Sequence, residues 1–498
     1  MANHEPQRLD AVPEFAPAEF QAECLRRAAD GARLVALCAL SPPPPDGSAP
    51  KASELLAVLA RDARGELELL RMTAAAAYPA LTQSWAQAQA FEREIFEEHG
   101  IRPEGHPWLK PLRRHGDLEP AGTNAAPIYP YFSVEGAGIH EVAVGPVHAG
   151  VIEPGSFRFQ CHGETVLHLE IQLGYQRRGA EALLLRSSPG RRLMVAESIA
   201  GDTVIAHALA HCMAVESLAG VDVPGVAQLV RGVALELERL HNHVGDLGAL
   251  ANDVGYLPGA SWLGRLRGEF LNLLMEISGN RFGRSLLCAG GVRFGIDAGQ
   301  RDEFLRRLRV VHDELKSVVL LMLDTPSVQS RFEGTGVVSK QTAETIGLVG
   351  MAARASGCQR DVRRDHASGI YRIQPIEIAS ATGGDVMARA RLRWEEVEHS
   401  LAYVRARLSE LPTGALIAKP AAWSLAPDSV VVSMVEGWRG ETVHILATDA
   451  AGALCRHKVI DPSLHNWFGL AMAMRDGDIS DFPLCNKSFN LSYAGHDL

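Results

Sequence analysis

Gly145-Pro146-Val147-His148-Ala149-Gly150-Val151-Ile152-Glu153-Pro154-Gly155 lies between two apolar strand-like stretches, so it reads as a loop joining two strands. Its Gly-Pro and Pro-Gly pairs alone would mean a turn. A His and a Glu inside it give the loop side chains, as well as backbone, to bring to a site. Downstream, Phe157-Arg158-Phe159 and Val166-Leu167-His168-Leu169-Glu170 alternate, and His140 to Leu173 is β-rich. The period then changes. Ala206–Leu218, Gln228–Leu250, Trp262–Ser278 and Asp302–Leu323 carry apolar residues at three- and four-residue spacing, and a further helix is expected over Arg391–Leu411. Residues 415–498 read as short strands mixed with turns. Upstream, Gly122, Pro127 and Pro130 interrupt any regular element, which places a domain boundary at Pro120 to Pro130. The first part holds an amphipathic helix over Glu19–Leu37 and short strands at Leu34–Leu40 and Glu66–Met72. A charge-alternating helix, Phe91–His99, is stopped by Gly100. The run Ser41-Pro42-Pro43-Pro44-Pro45-Asp46-Gly47 is a hairpin tip or surface loop, because no helix or central strand can contain it. No internal repeat is present. The pattern is α+β: a small N-terminal α/β domain, then a large, mainly helical one with peripheral β elements.

The composition is that of an ordinary globular chain: 498 residues, 47% hydrophobic and 22% charged, with a net charge of −10. That balance argues against a nucleic-acid partner. The longest uncharged run, Met72 to Phe91, carries Pro79 and several polar residues that hydrocarbon would penalise. The opening Met-Ala-Asn-His-Glu-Pro has neither a basic nor an apolar leader region, so a cytoplasmic location is expected. Cysteines stand at 24, 38, 161, 212, 288, 358, 455 and 485, with no CxxC pair, so neither a zinc ribbon nor an iron–sulfur run is written.

Nucleotide signatures fail as well. No Gly-Lys pair exists, which excludes a phosphate-binding P-loop, and Gly334-Thr335-Gly336-Val337-Val338-Ser339 lacks the third Gly of a dinucleotide fingerprint. His207 and His211 share a helix face, with Cys212 beside them, but no Glu completes an H-E-x-x-H arrangement. The pair therefore reads as a helix interface with hydrogen-bonded histidines. His241 and His243 point to different faces.

Five further segments follow in order: Phe91-Glu92-Arg93-Glu94-Ile95-Phe96-Glu97-Glu98-His99-Gly100-Ile101-Arg102-Pro103-Glu104-Gly105-His106-Pro107, Gly174-Tyr175-Gln176-Arg177-Arg178-Gly179-Ala180-Glu181, Glu238-Arg239-Leu240-His241-Asn242-His243, Gly290-Gly291-Val292-Arg293, and Arg354-Ala355-Ser356-Gly357 followed by Asp361. Together with the 145–155 loop, the last four resemble the large subunit of complex-I-like, energy-converting [NiFe] hydrogenases of the formate hydrogenlyase type, and its relative, the quinone-site subunit of respiratory complex I. The first resembles the small peripheral-arm subunit often fused upstream. The resemblance implies residues 1–125 as that small domain, 126–139 as a linker, and 140–498 as the hydrogenase-like domain.

In the hydrogenases two CxxC pairs hold nickel and iron, because thiolates are soft, strong donors. Their positions match Ala200 and Thr203, and Ser492 and Gly495, so all four ligands are absent and no nickel–iron centre is expected. The His and Tyr that hold a quinone in the complex I relatives match Ile152 and Gly201. His148, Arg178 and Asp253 match complex I positions, the Arg lying near a partner's iron–sulfur cluster or a quinone-like cavity. Glu153 matches a proton-passing glutamate and Arg354 an arginine beside the cavity, so these two are the candidate catalytic residues. The implied role is an electron-transfer subunit in the peripheral arm of a membrane-associated oxidoreductase, inactive alone; the alternative is a silent scaffold of that arm. Implied partners are a small iron–sulfur subunit with its cluster, and antiporter-like and quinone-facing membrane subunits on the inner face of the cell membrane. No cofactor is expected to be bound by this chain alone, and quinone is the candidate occupant of the cavity.

Overall fold

The computed structural model describes residues 1–43, 52–113 and 129–498. Pro44 to Gly47 and most of the 120–130 break lie outside the described residues. Helix α1 (Pro17–Ala29) is followed by strands β1 (Arg33–Ala39), β2 (Ser53–Arg61) and β3 (Glu66–Ala74). These form an antiparallel sheet in the order β3-β2-β1, with Glu14–Phe15 added parallel to β3. The helix expected to reach Leu37 stops at Ala29: Leu34–Leu40 is a fully buried apolar run, and sheet pairing with β2 wins over helical periodicity there.

Helix α2 (Gln89–His99) ends at Gly100, whose φ of 67° closes it in the left-handed conformation. Its alternating charges do not face solvent. Instead Glu92, Arg93 and Glu94 are buried, each with partners: Glu92 accepts from the Leu81 N–H and the Thr82 hydroxyl, and Arg93 donates to the Lys110 and Pro111 carbonyls.

Strands β4 (Ile139–Val144), β5 (Ser156–His162) and β6 (Thr165–Gln172) form an antiparallel meander. The Gly145–Gly155 loop is therefore the β4–β5 connection. Helices α3 (Val204–Ala219), α4 (Gly225–Asp253), α5 (Leu257–Ser278), α6 (Ala298–Leu323) and α7 (Val386–Ser409) build one large apolar core. The closing segment is more regular than its sequence suggests. It holds strands β7 (Ser429–Glu436), β8 (Glu441–Thr448) and β9 (Leu454–Ile460), then helices α8 (Pro462–Met474) and α9 (Phe482–Phe489). Helix α8 went unread because it is apolar nearly all round and so shows no amphipathic stripe, and α9 because its two turns are too short to show a period.

The β7–β9 sheet joins the two halves. Val430, Val432, Val443 and Ile445 pack into the core of the N-terminal sheet, whereas Val431 and Leu446 meet Ala214 and Leu218 of α3. Burial on both faces explains the unbroken apolar run Val430-Val431-Val432. Gln7–Arg8 pairs with β7, and Lys458, fully buried on β9, forms ion pairs with Glu94 (2.6 Å) and Glu181 (2.9 Å). Among the described residues no helix is long and apolar enough to cross a membrane.

Candidate functional site

The segments carrying Ala200, Thr203, Ser492 and Gly495 converge. Ala200 and Ala494 belong to one apolar cluster with Ile199 and Val459. Between the segments stands the β7–β8 hairpin tip, Gly437-Trp438-Arg439-Gly440. The Arg439 guanidinium holds Asp202 through two hydrogen bonds (2.6 and 2.8 Å), and its Nε donates to the Asn490 carbonyl at 2.6 Å. Its Nη1 also reaches Thr203 Oγ1 at 3.3 Å, and the Trp438 indole N–H donates to the same hydroxyl at 3.2 Å. One buried cation thus joins the two segments. The tip can lie this close because Gly440 rests on Gly350: a Cβ on Gly350, whose φ is +62°, would sit 2.2 Å from the Gly440 Cα. Ser492 Oγ accepts from the Ala494 N–H, and a Cβ added at Gly495 would stand 3.2 Å from the Asp461 Cβ.

The β4–β5 loop reaches the same region from outside. Tyr493 OH and His148 Nε2 are 3.2 Å apart. Glu153, half-buried, is near enough that its charge adds to burial in pushing the Tyr493 phenol up. Val147 and Val151 at the loop tip are 81% and 97% exposed, so the tip projects from the surface. Ile152 and Gly201, the positions matching a quinone-binding His and Tyr, are also exposed. Arg178 is exposed; its guanidinium donates to the Ser198 and Ile199 carbonyls, and its N–H to the Asp497 carbonyl, tying three segments together. Asp253 lies on the exposed last turn of α4.

Arg354 does not join this group. It is fully buried and its partners are Glu396 (2.6 Å), Glu436 (2.7 Å) and Asp361 (3.1 Å), with the Arg360 carbonyl at 3.2 Å. Burial alone would lower its pKa, but the three carboxylates raise it above the ordinary value. Among the described residues no hydrogen bond or ion pair links Glu153 with Arg354. The reason is network completion. Glu396 also takes Arg239 and His243, Asp361 takes Arg363, and Arg363 in turn holds Glu236. Burial and the Asp361 charge push Glu436 up to about 7, against Arg354. Glu238 accepts from the Ile205 and Ala206 N–H groups at the start of α3, and burial pushes it up to about 8.

His207 Nδ1 lies 3.1 Å from His444 Nε2, so the pair expected as a helix interface is hydrogen-bonded, though to β8. Sequence reasoning missed Arg439, Glu396 and Glu436 because isolated charged residues carry no spacing signal. The Gly-Trp-Arg-Gly tip was the only available cue.

The profile of the respiratory-chain NADH dehydrogenase 49 Kd subunit family matches residues 253–429, and that of the 30 Kd subunit family matches residues 21–127. The carbon monoxide-induced hydrogenase of Rhodospirillum rubrum is 31% identical over 352 residues, covering 70% of this chain and 97% of the relative. The chain belongs to the complex-I-like hydrogenase large-subunit family. It carries the 30 Kd-type and 49 Kd-type regions fused. Formate hydrogenlyase subunit 5 of Escherichia coli (strain K12) is 29% identical over 438 residues, covering 84% of this chain and 77% of the relative. Among solved structures, the membrane-bound sulfane sulfur reductase, described as an archaeal respiratory membrane complex, has a chain that aligns with a TM-score of 0.67. That match is 24% identical and covers 72% of this chain and 98% of that one; it shows the α+β fold.

Proposed function

We propose that this family member is a peripheral-arm subunit of a membrane-associated, complex-I-like oxidoreductase that works without a nickel–iron centre. The observation that carries this is Arg439. A nickel–iron site needs several thiolates. Here Ala200 and Gly495 offer no donor, Thr203 and Ser492 offer hydroxyls already in hydrogen bonds, and a guanidinium neutralised by Asp202 occupies the ground between the segments. The residues present do not fit the metal. Buried salt bridges fix specificity and geometry more than they add net stability, which suits a part whose task is to hold the arm together.

Arm membership is supported by the relatives, whose names describe membrane-bound and multi-subunit respiratory enzymes. The expected neighbours are a small iron–sulfur subunit at the Arg178 face, where an anionic cluster favours a cation, and membrane subunits beyond it. A second reading keeps electron acceptance by a quinone-like molecule at the His148–Tyr493–Glu153 group, where half-buried His148 and Glu153 stand beside the buried Tyr493 phenol. Isolation of the tagged chain from its native membranes tests the proposal. An iron–sulfur protein and antiporter-like subunits should come with it, and Arg178→Ala should weaken retention of the iron–sulfur partner. A chain isolated alone under mild detergent, with no such subunits, overturns it.

A further inference from the structure

Outside this site, four imidazoles meet between α3 and the β7–β9 sheet. His207 and His211 are one turn apart on α3 and share a face. His444 pairs in register with Val459, and Leu446 with His457, so alternation aims His444 and His457 at the sheet face that α3 covers. His207 Nδ1 is 3.1 Å from His444 Nε2, and His444 Nδ1 is 3.0 Å from His457 Nε2. The His211 ring stacks on His457, centroids 5.3 Å apart and planes within 10°. His211, His444 and His457 each offer a ring nitrogen, and these nitrogens lie within 4.8 Å of one another.

We propose that His211, His444 and His457 form a binding site for one divalent transition-metal ion of zinc-like preference, with a water completing the tetrahedron. Three imidazoles held by a helix and two adjacent strands are the donor set that zinc accepts, at Zn–N distances near 2.0–2.1 Å. Such a tetrahedron sets nitrogens about 3.3 Å apart, close to the 3.0 Å already present between His444 and His457. The hydrogen-bonded chain does not satisfy the cluster: His211 Nδ1 is buried without a partner. Buried polar atoms in native proteins are normally paired, so such orphans call for an ion, a water or a function. His207 supplies the outer support. It engages His444 Nε2, which leaves His444 Nδ1 turned to the ligand set, and Asp461 Oδ2 lies 3.6 Å from His207 Nε2 and favours the proton there. On binding, each ligand stays a neutral imidazole with its N–H on the other ring nitrogen, so no proton need be lost to solvent. His211, 4% exposed, is the one of the three ligands with any solvent contact.

The test uses the full chain, stripped with a chelator and titrated with zinc against a coloured competitor. One zinc per chain should bind and raise the melting temperature, and cobalt should give the strong visible bands of a tetrahedral centre. His444→Gln and His457→Gln should each weaken zinc by more than about a hundredfold, and His207→Gln by about tenfold, the range typical of an outer-shell partner. Zinc-edge absorption of the unaltered chain should count three imidazole ligands, a readout that needs no variant to fold. A folded chain that retains no zinc, or zinc that binds His444→Gln equally well, or an edge spectrum without imidazole, overturns the proposal and leaves a hydrogen-bonded imidazole stack.

Discussion

Replacing Arg354 by Met keeps most of the volume and removes the cation that faces three carboxylates. Their alternatives differ. Glu396 retains Arg239 and His243, and Asp361 retains Arg363. Glu436 keeps only the Val362 N–H at 3.1 Å, so it is the group left without a counter-charge. Breaking a buried pair from one side costs about 3–5 kcal/mol. Protonation limits that cost, because Glu436 is already pushed up to about 7. Below that pH it is largely neutral and has less need of Arg354; above it the orphaned charge must be carried. The loss measured as the shift in urea midpoint at unchanged slope should therefore be larger at pH 8 than at pH 6. Adding Glu436→Gln to Arg354→Met should recover about 1–3 kcal/mol of it, the coupling expected of direct neighbours. If Arg354→Met instead leaves stability within about 0.5 kcal/mol, the range of surface changes, while turnover of the assembled complex collapses, the arginine acts on chemistry and the structural account of it is wrong.

Glu153→Gln separates the two readings of the loop. With Glu153 half-buried and in no ion pair among the described residues, the change should leave the melting temperature nearly untouched; a fall in turnover of the complex by about two orders of magnitude would mark a proton donor, and unchanged turnover the scaffold. Glu238 gives the pH dependence. Its folded value of about 8 lies above the ordinary 4.5, so the native chain holds a proton the unfolded chain releases, and stability should fall as pH rises from 4.5 through 8. Glu238→Gln should flatten that stretch of the stability profile; an equally steep profile in the variant places the effect elsewhere.

The fold was legible where a pattern had a period. The helices from 204 to 323 and the strands from 139 to 172 follow from apolar spacing, and the Gly100 stop from a residue that tolerates positive φ. What escaped was set by tertiary pairing. Leu34–Leu40 joins a sheet because β2 lies beside it, and α8 is apolar on too many sides to show a stripe. The site divides in the same way. The segments carrying Ala200, Thr203, Ser492 and Gly495 converge, but the sequence could not bring His148 to Tyr493, place Arg439 between the two segments or occupy Arg354 with three carboxylates. Single charged residues have no period; only the folded chain shows which of them meet.

The proposal that the chain works without a nickel–iron centre is tested most directly by metal analysis of the chain isolated within its native complex, combined with hydrogen uptake. Nickel should be well below one atom per chain, any trace of it should vanish in His444→Gln, and no hydrogen should be consumed. One nickel per chain that survives His444→Gln, accompanied by hydrogen uptake, would show that Thr203, Ser492 and their neighbours hold the metal after all, and would contradict the account built on Arg439.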